Sequence, residues 1–402
     1  MFVIRQASSE DVQSLLKLAR LVHSFNLPAD RDAIAGKIVK SVQSFEDRLD
    51  DPHDRTHMFV LEDLETGNVI GTSSIIGHVS WPGHPHVYLE VSRREFWSDD
   101  LQQGATHVVL ELGTDESGPS ELGGLILAPG YRGHAERLGG LLSMVRFQYL
   151  ALHRKHFGDR IIAEVMGSLT PDSHNVLWDY LGRRFINLSY TEADLFCRRS
   201  KEFITALFPR EPIYASILPP EARNLIARES DESRGARAML ERQGFEYHGH
   251  IDPFDGGPYL EASIDAIPLV GETRALRFAG STRAGKGVAI VSSDGDEGFR
   301  AVRTPYQRRG DDLRLPAAAI EALEISTGDR VGFTALDGGP ATRSTSTAKK
   351  TGKPSTSTKK AASGKSASSK TTSKKTAPKK AGKRAATTPR SSRTAGTKGA
   401  RR

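Results

Sequence analysis

Between Leu122 and Val145 the chain gathers residues that can hold a phosphate: Arg132, Gly133, Arg137, Gly139 and Gly140. Arginine offers a planar fork of donors to phosphate oxygens, and glycine lets the backbone come close to a ligand. Ahead of them lies an apolar run, Leu122, Leu125, Ile126 and Leu127, followed by the turn Ala128-Pro129-Gly130; behind them Leu138, Leu141, Leu142 and Val145 recur at helical spacing. This reads as strand, turn and helix N-terminus. Unpaired N–H groups and the positive end of the helix dipole meet there, which suits phosphate or pyrophosphate. The same pattern also serves as a plain tight connection, so the neighbouring elements decide its use.

Those elements are legible in outline. Phe2 to Arg5 reads as a strand, and the Ser8-Ser9-Glu10-Asp11 group can cap a helix with Val12, Leu15, Leu16 and Leu18 on one face. A weakly helical stretch carries Ile34, Ile38 and Val42. His57 to Glu62 and Val69 to Ile75 form a hairpin across a turn containing Gly67 and Asn68. Val87 to Val91 and Val108 to Leu112 are two further strands, giving a run of antiparallel strands that meets its crossover helix only after Leu127. Arg160 to Val165 follows as a strand parallel to 122–127. Asn175 to Leu181 is a short helix ended by Gly182 and then a strand at Phe185; Ala236 to Gln243, Gly244 and Phe245 to Tyr247 repeat the pattern, which suggests an internal repeat. From about Leu269 to Leu336 short apolar runs separated by glycines indicate a small β-rich domain with one helix near Pro316 to Glu324.

The net charge of +7 divides unevenly. Residues 341–402 hold 19 Lys and Arg and no Asp, Glu or aromatic residue, so the rest of the chain carries 37 basic against 49 acidic residues, a net of −12. Without apolar surface to bury, the tail is expected to be disordered. A polycation of this kind associates with nucleic acid through counterion release without reading sequence, or it serves as a solubilising segment. The single cysteine, Cys197, excludes an intrachain disulfide framework and a cysteine-based zinc site, and a reducing cytoplasmic setting follows. No apolar run reaches the length of a membrane span, and the first residues lack the pattern of a signal peptide.

The order of elements resembles the acyl-CoA N-acyltransferase (GNAT) fold, in which a strand splays from its neighbour and the following loop and helix start bind the CoA pyrophosphate. Of that family's loop pattern only Gly139 fits; the other two positions are His134 and Arg137. A more detailed resemblance is to the arginine N-succinyltransferase family, along nearly all of the first 336 residues. It is carried by Ser120-Glu121-Leu122, Leu125-Ile126-Leu127, Tyr131-Arg132, Leu141-Leu142-Ser143, Arg146-Phe147, Ala163-Glu164 and Leu181-Gly182-Arg183-Arg184-Phe185, and later by Pro212-Ile213-Tyr214, Gly244-Phe245, Phe254-Asp255-Gly256-Gly257-Pro258 and Thr327-Gly328-Asp329-Arg330-Val331. The fold class implied is α/β (α+β): a GNAT-like mixed sheet with flanking helices and a second partial GNAT-like repeat. The expected domains are 1–190, acyl-CoA-binding; 191–266, a second GNAT-like half; 267–336, β-rich; and 337–402, the tail.

The resemblance implies transfer of a succinyl group from the co-substrate succinyl-CoA to the α-amino group of arginine or a related amine, with no resident cofactor or metal, in a homo- or hetero-oligomer. Backbone N–H groups near Leu125, Ile126 and Leu127 would polarise the thioester carbonyl. Leu125 is the position of the family's succinyl-CoA contact. Arg132, Gly139 and Gly140 would hold the pyrophosphate. The family's proton-donor histidine falls on Ser230, which cannot titrate near neutrality, so Glu164, His248 and His250 are the candidate acid/base groups. Two readings follow: an active acyltransferase, or a catalytically degenerate acyl-CoA- and amino-acid-binding protein tethered to nucleic acid by its tail; in either case a cytoplasmic protein is expected, with nucleoid association through the tail. Trp178 is expected in the core, Cys197 as a small buried apolar residue, and Asp255 to Pro258 as a turn first and a substrate loop second.

Overall fold

A continuous apolar run in a strand means that both faces of its sheet are covered, and His57 to Leu61 is such a run. The computed structural model describes residues 1–336 except 22–26, 171, 173, 198–199 and 296–297. In it β1 (Phe2–Gln6) is followed by α1 (Val12–Leu21), α2 (Arg31–Phe45), β2 (Thr56–Asp63) and β3 (Asn68–Ile76). Met58 and Val60 of β2 pack against α1 and α2 with Leu15, Leu18, Ile34 and Ile38. Phe59 and Leu61, pointing the other way, pack with Leu138, Leu141, Leu142 and Val145 of α3 (Leu138–Leu152). The sheet is therefore sandwiched between helices, and α3 is apolar on nearly all sides because it is itself buried.

The strands β4 (His86–Ser98), β5 (Gln103–Asp115), β6 (Ser120–Leu127) and β7 (Arg160–Glu164) follow the hairpin in sequence but not in space. β6 returns to pair antiparallel with β3, and β7 lies parallel to β6 as the crossover rule requires. β4 and β5 leave as a long hairpin to the far side of the sheet, so the expected unbroken run of antiparallel strands is interrupted there. Both strands are far longer than their apolar cores, because the outer half of the hairpin is exposed and carries no apolar periodicity.

Beyond β7 come α4 (Val176–Tyr180), α5 (Gly182–Phe185), α6 (Tyr190–Cys197), α7 (Glu202–Leu207), β8 (Ile213–Tyr214) and α8 (Pro220–Arg223). They pack on β4 and β5 around Trp178, which is fully buried, and Cys197 joins the same cluster. Gly182 does not end a helix before a strand. It opens α5, and it is glycine because a Cβ there would run into the Trp178 ring. The expected helix-Gly-strand form holds at the second place: α9 (Arg234–Arg242) ends at Gly244, whose φ is 82°, and the chain continues as β9 (Glu246–Ile251) and β10 (Pro258–Ser263). β10 pairs antiparallel with β7, and β9 bridges β10 to β4.

After α10 (Pro268–Glu272), the strands β11 (Arg274–Ser281), β12 (Gly287–Gly295), β13 (Gly298–Arg309) and β14 (Asp312–Leu315), then α11 (Ala317–Leu323) and β15 (Arg330–Ala335), form a five-stranded β unit. It closes on itself through the β12–β13 pairing. It has its own core, yet β13 pairs with β1, and Gln148 of α3 donates to Ile290 O at 3.0 Å and Thr334 Oγ1 at 2.9 Å. The described residues belong to one compact unit. Among them, no helix is long and apolar enough to cross a membrane. The basic tail lies outside the described residues.

Candidate active site

Two adjoining cavities open where β6 and β7 part. Their ladder consists of Ser120–Ile161 and Glu121–Ile162 only. Beyond it β6 bends away, helped by an irregularity against β3 between Gly123 and Ile126, where Gly124 takes φ 59°. Leu125, next to the bulge, lines both cavities.

The outer cavity, about 1250 Å³, is bordered by Leu125, Ile126 and Leu127 on one side and by Arg132, Gly139 and Gly140 on another. All six expected cofactor-binding residues are thus brought together. Leu141 N is the first amide of α3 with a helical acceptor, Arg137 O at 3.0 Å. The amides of Leu138, Gly139 and Gly140 belong to the first turn, where N–H groups have no acceptor within the helix. Arg137, immediately before the helix, is held at φ 53°, a costly conformation for a non-glycine residue that fixes the loop's approach. Arg132 stands at the surface 3.4 Å from Glu232, an exposed pair of little intrinsic strength that a phosphate can displace. Ser230 also borders this cavity; its N–H donates to Met166 O at 2.9 Å, and its Oγ lies 2.9 Å from Ser233 Oγ ahead of α9.

The inner cavity, about 350 Å³, is built from side chains. Glu164 on β7, Asp252 and Asp255 bring carboxylate oxygens within 4.8 Å of one another. β10 delivers the aspartates, since Tyr259 pairs with Glu164 and the turn 252–257 precedes it. Asp252 accepts from Phe254 N at 2.7 Å, Asp255 N at 3.0 Å and Tyr259 OH at 3.1 Å. Asp255 accepts from Gly167 N at 2.8 Å and Gly257 N at 2.7 Å. The two aspartates are thereby fixed by the backbone, while the Glu164 carboxylate has no hydrogen-bond donor among the described residues. Burial first, and then Asp252 and Asp255, hold Glu164 well above the usual carboxylate range. Burial, with Asp252 second, pushes Asp255 up to about 7. Such a cluster accepts a cation: a guanidinium, an ammonium or a metal ion.

His248 and His250 are not in either cavity. They lie on β9, whose partners are β10 and β4; His248 is exposed, and His250 stacks on Tyr88 with ring centroids 3.9 Å apart. The acid/base expectation for them is therefore corrected: β9 is separated from the β6–β7 opening by β10. Sequence reasoning missed the inner cavity's Asp252 and Arg146 as site residues. Arg146 had a visible signal, being the lone charged residue within α3.

A splayed parallel pair beside a helix start, in a mixed sheet covered by helices, defines an acyl-CoA N-acyltransferase with a GNAT-like fold. The family profile described as Arginine N-succinyltransferase beta subunit matches residues 2–269, and that of its C-terminal domain matches 275–335. Relatives named arginine N-succinyltransferase from Shigella boydii and Escherichia coli are 34% identical over 336 residues, covering 82% of this chain and 96% of each relative. The solved structure of arginine/ornithine succinyltransferase subunit AI from Pseudomonas aeruginosa matches with a TM-score of 0.72 and 26% identity, over 83% of this chain and 98% of that one. The chain belongs to the arginine N-succinyltransferase family.

Proposed function

We propose that the protein transfers the succinyl group of succinyl-CoA to the α-amino group of arginine or a closely related amine. The observation that carries this reading is the meeting of the two cavities at Leu125: one is lined by first-turn amides, the other by an acidic cluster. The pyrophosphate lies against Leu138 to Gly140 and Arg132. The thioester follows β6, whose edge toward β7 has lost its ladder, so its amides can face the carbonyl oxygen as negative charge develops there. The cationic side chain of the acceptor is drawn to Asp252 and Asp255. Glu164 takes one proton from the ammonium, and its raised affinity for protons suits that task. The amine lone pair then attacks the carbonyl carbon, the C–S bond breaks, and the second proton leaving nitrogen ends on the CoA thiolate. Ser230, at the family histidine's position, can orient groups at the cavity rim by hydrogen bonding and does not titrate.

The name arginine/ornithine succinyltransferase of the solved relative makes ornithine the second acceptor to test. The words subunit AI and beta subunit support an oligomer, as does the exposure of Phe96, Trp97 and Leu101 at the tip of the β4–β5 hairpin. The polybasic tail supports salt-sensitive association with nucleic acid, which truncation before residue 341 should abolish. The reaction is tested by thiol release from succinyl-CoA with arginine, ornithine and lysine; no release above background with any amine overturns it.

A further inference from the structure

Arg146 projects from the buried face of α3 into the inner cavity and is 3% exposed. Its guanidinium donates to Ser143 O at 3.3 Å, Ser143 Oγ at 2.9 Å and Gly123 O at 3.5 Å. These acceptors are neutral, and among the described residues it forms no ion pair. Burial alone lowers its pKa to about 9. A buried cation without a counter-ion is costly, and in a binding cavity it calls for an anion. The carboxylates of Glu164, Asp252 and Asp255 share the cavity but belong to β7 and the turn before β10, whereas the hydrogen bonds that Arg146 makes among the described residues go to α3 and β6. Those two are the elements that frame the outer cavity, and Gly123 is two residues from Leu125. Two fully extended residues span at most roughly 7 Å, and the bend at Gly124, φ 59°, shortens that distance, so a four-carbon diacyl chain can reach from a thioester at Leu125 toward Arg146.

We infer that Arg146 binds the distal carboxylate of the succinyl group and so selects a dicarboxylic acyl donor over a monocarboxylic one. This rests on the transfer reaction proposed above and adds to it the residue that sets donor specificity. The inner cavity is then bipolar: the donor's carboxylate sits at the α3–β6 end and the acceptor's cation at the β7–β10 end. Their charges place the amine and the thioester carbonyl between them.

The test compares succinyl-CoA with butyryl-CoA, which has the same chain length and a methyl in place of the carboxylate, and compares arginine with agmatine, which lacks the acceptor carboxylate. In Arg146→Met, kcat/KM for succinyl-CoA should fall by about 100-fold while that for butyryl-CoA changes less than about threefold, because only the former loses a charge-assisted partner. The arginine-to-agmatine preference should stay as in the wild type. Arg146→Lys, which keeps the charge without the fork, should retain an intermediate succinyl preference; it carries the test if the methionine variant does not fold. An unchanged succinyl-to-butyryl preference overturns the inference, and so does a collapse of the arginine-to-agmatine preference, which would put the acceptor's carboxylate on Arg146. If the wild type releases no thiol from succinyl-CoA, the transfer reaction fails separately. Equilibrium binding then decides: succinyl-CoA must bind more tightly than butyryl-CoA and lose that advantage in Arg146→Met, and equal binding overturns the inference.

Discussion

The outer and inner cavities share Leu125 but are made of different material. The outer one is backbone: first-turn amides of α3, the freed edge of β6 and a loop fixed by Arg137 at φ 53°. The inner one is side chain: the clustered carboxylates of Glu164, Asp252 and Asp255 and the Arg146 guanidinium, supplied by α3, β7 and the turn before β10, with Asp194 and Lys201 also on its wall. Backbone sites depend on a local succession of elements and tolerate most side-chain changes. Side-chain sites depend on long-range strand pairing and on each residue that holds them in place.

The largest contrast between them should appear in catalysis. Glu164→Gln removes the free carboxylate of the inner cavity, and kcat is expected to fall about 10²–10⁴-fold with the KM for succinyl-CoA nearly unchanged, as for loss of a general base. Steady-state thiol release reads both constants, and a change confined to KM would break the assignment. On the other side, Gly140→Val fills space left open at the first turn of α3, where an added Cβ would meet Met239 Sδ at 3.7 Å and Arg137 Cβ at 4.0 Å, and so intrudes where the pyrophosphate is proposed to lie. It should weaken succinyl-CoA binding by about tenfold, or 1.4 kcal/mol, and leave the acceptor's KM alone; calorimetric titration with CoA measures this.

A smaller effect tests the dependence of the inner cavity on packing. Trp178 stacks on Phe254 with ring centroids 4.9 Å apart, and Phe254 lines the inner cavity beside Asp255. In Gly182→Ala the new methyl meets the Trp178 ring, so overpacking should cost about 1–3 kcal/mol in denaturant unfolding. The acceptor's KM should rise while CoA affinity holds. An equal loss in both cavities would dissolve the distinction.

The smallest effect is on stability against pH and should spare both cavities. His57, fully buried among Phe45, Tyr149 and Phe157, has no hydrogen-bond partner on either ring nitrogen among the described residues, and burial holds its pKa well below the ordinary value. The unfolded chain takes up a proton near pH 6.5 that the folded chain refuses, so stability is full above that pH and is lost as pH falls below it. Each unit of pH in that window costs about 1.4 kcal/mol per such histidine. His57→Phe should flatten the thermal-stability profile in the first unit of pH below 6.5 by that amount; an unchanged slope there would show that other groups control it.

The same contrast explains what could be read in the sequence. β1 to β3, β6, α3 and β7 were legible because each has a local apolar period and a turn or cap at its ends. The outer cavity followed, since it needs only that succession. The inner cavity was legible at Glu164 and, as the second reading of a turn, at Asp255. Its partners arrive by the pairing of β10 with β7, and Tyr259 is far from Glu164 along the chain, so no spacing announces it. His248 and His250 misled for the same reason: their distance from the site is set by β9 lying beyond β10. Gly182 misled because a glycine needed for contact with Trp178 looks the same in sequence as one that ends a helix.

The most direct test of the two-cavity account is the pH dependence of kcat/KM for succinyl-CoA with arginine, in the wild type and in Glu164→Gln. The account predicts a wild-type rate that rises through an acid limb as Glu164 ionises, and a variant that is slower by orders of magnitude and has lost that limb. A variant with wild-type rate and the same acid limb would contradict it.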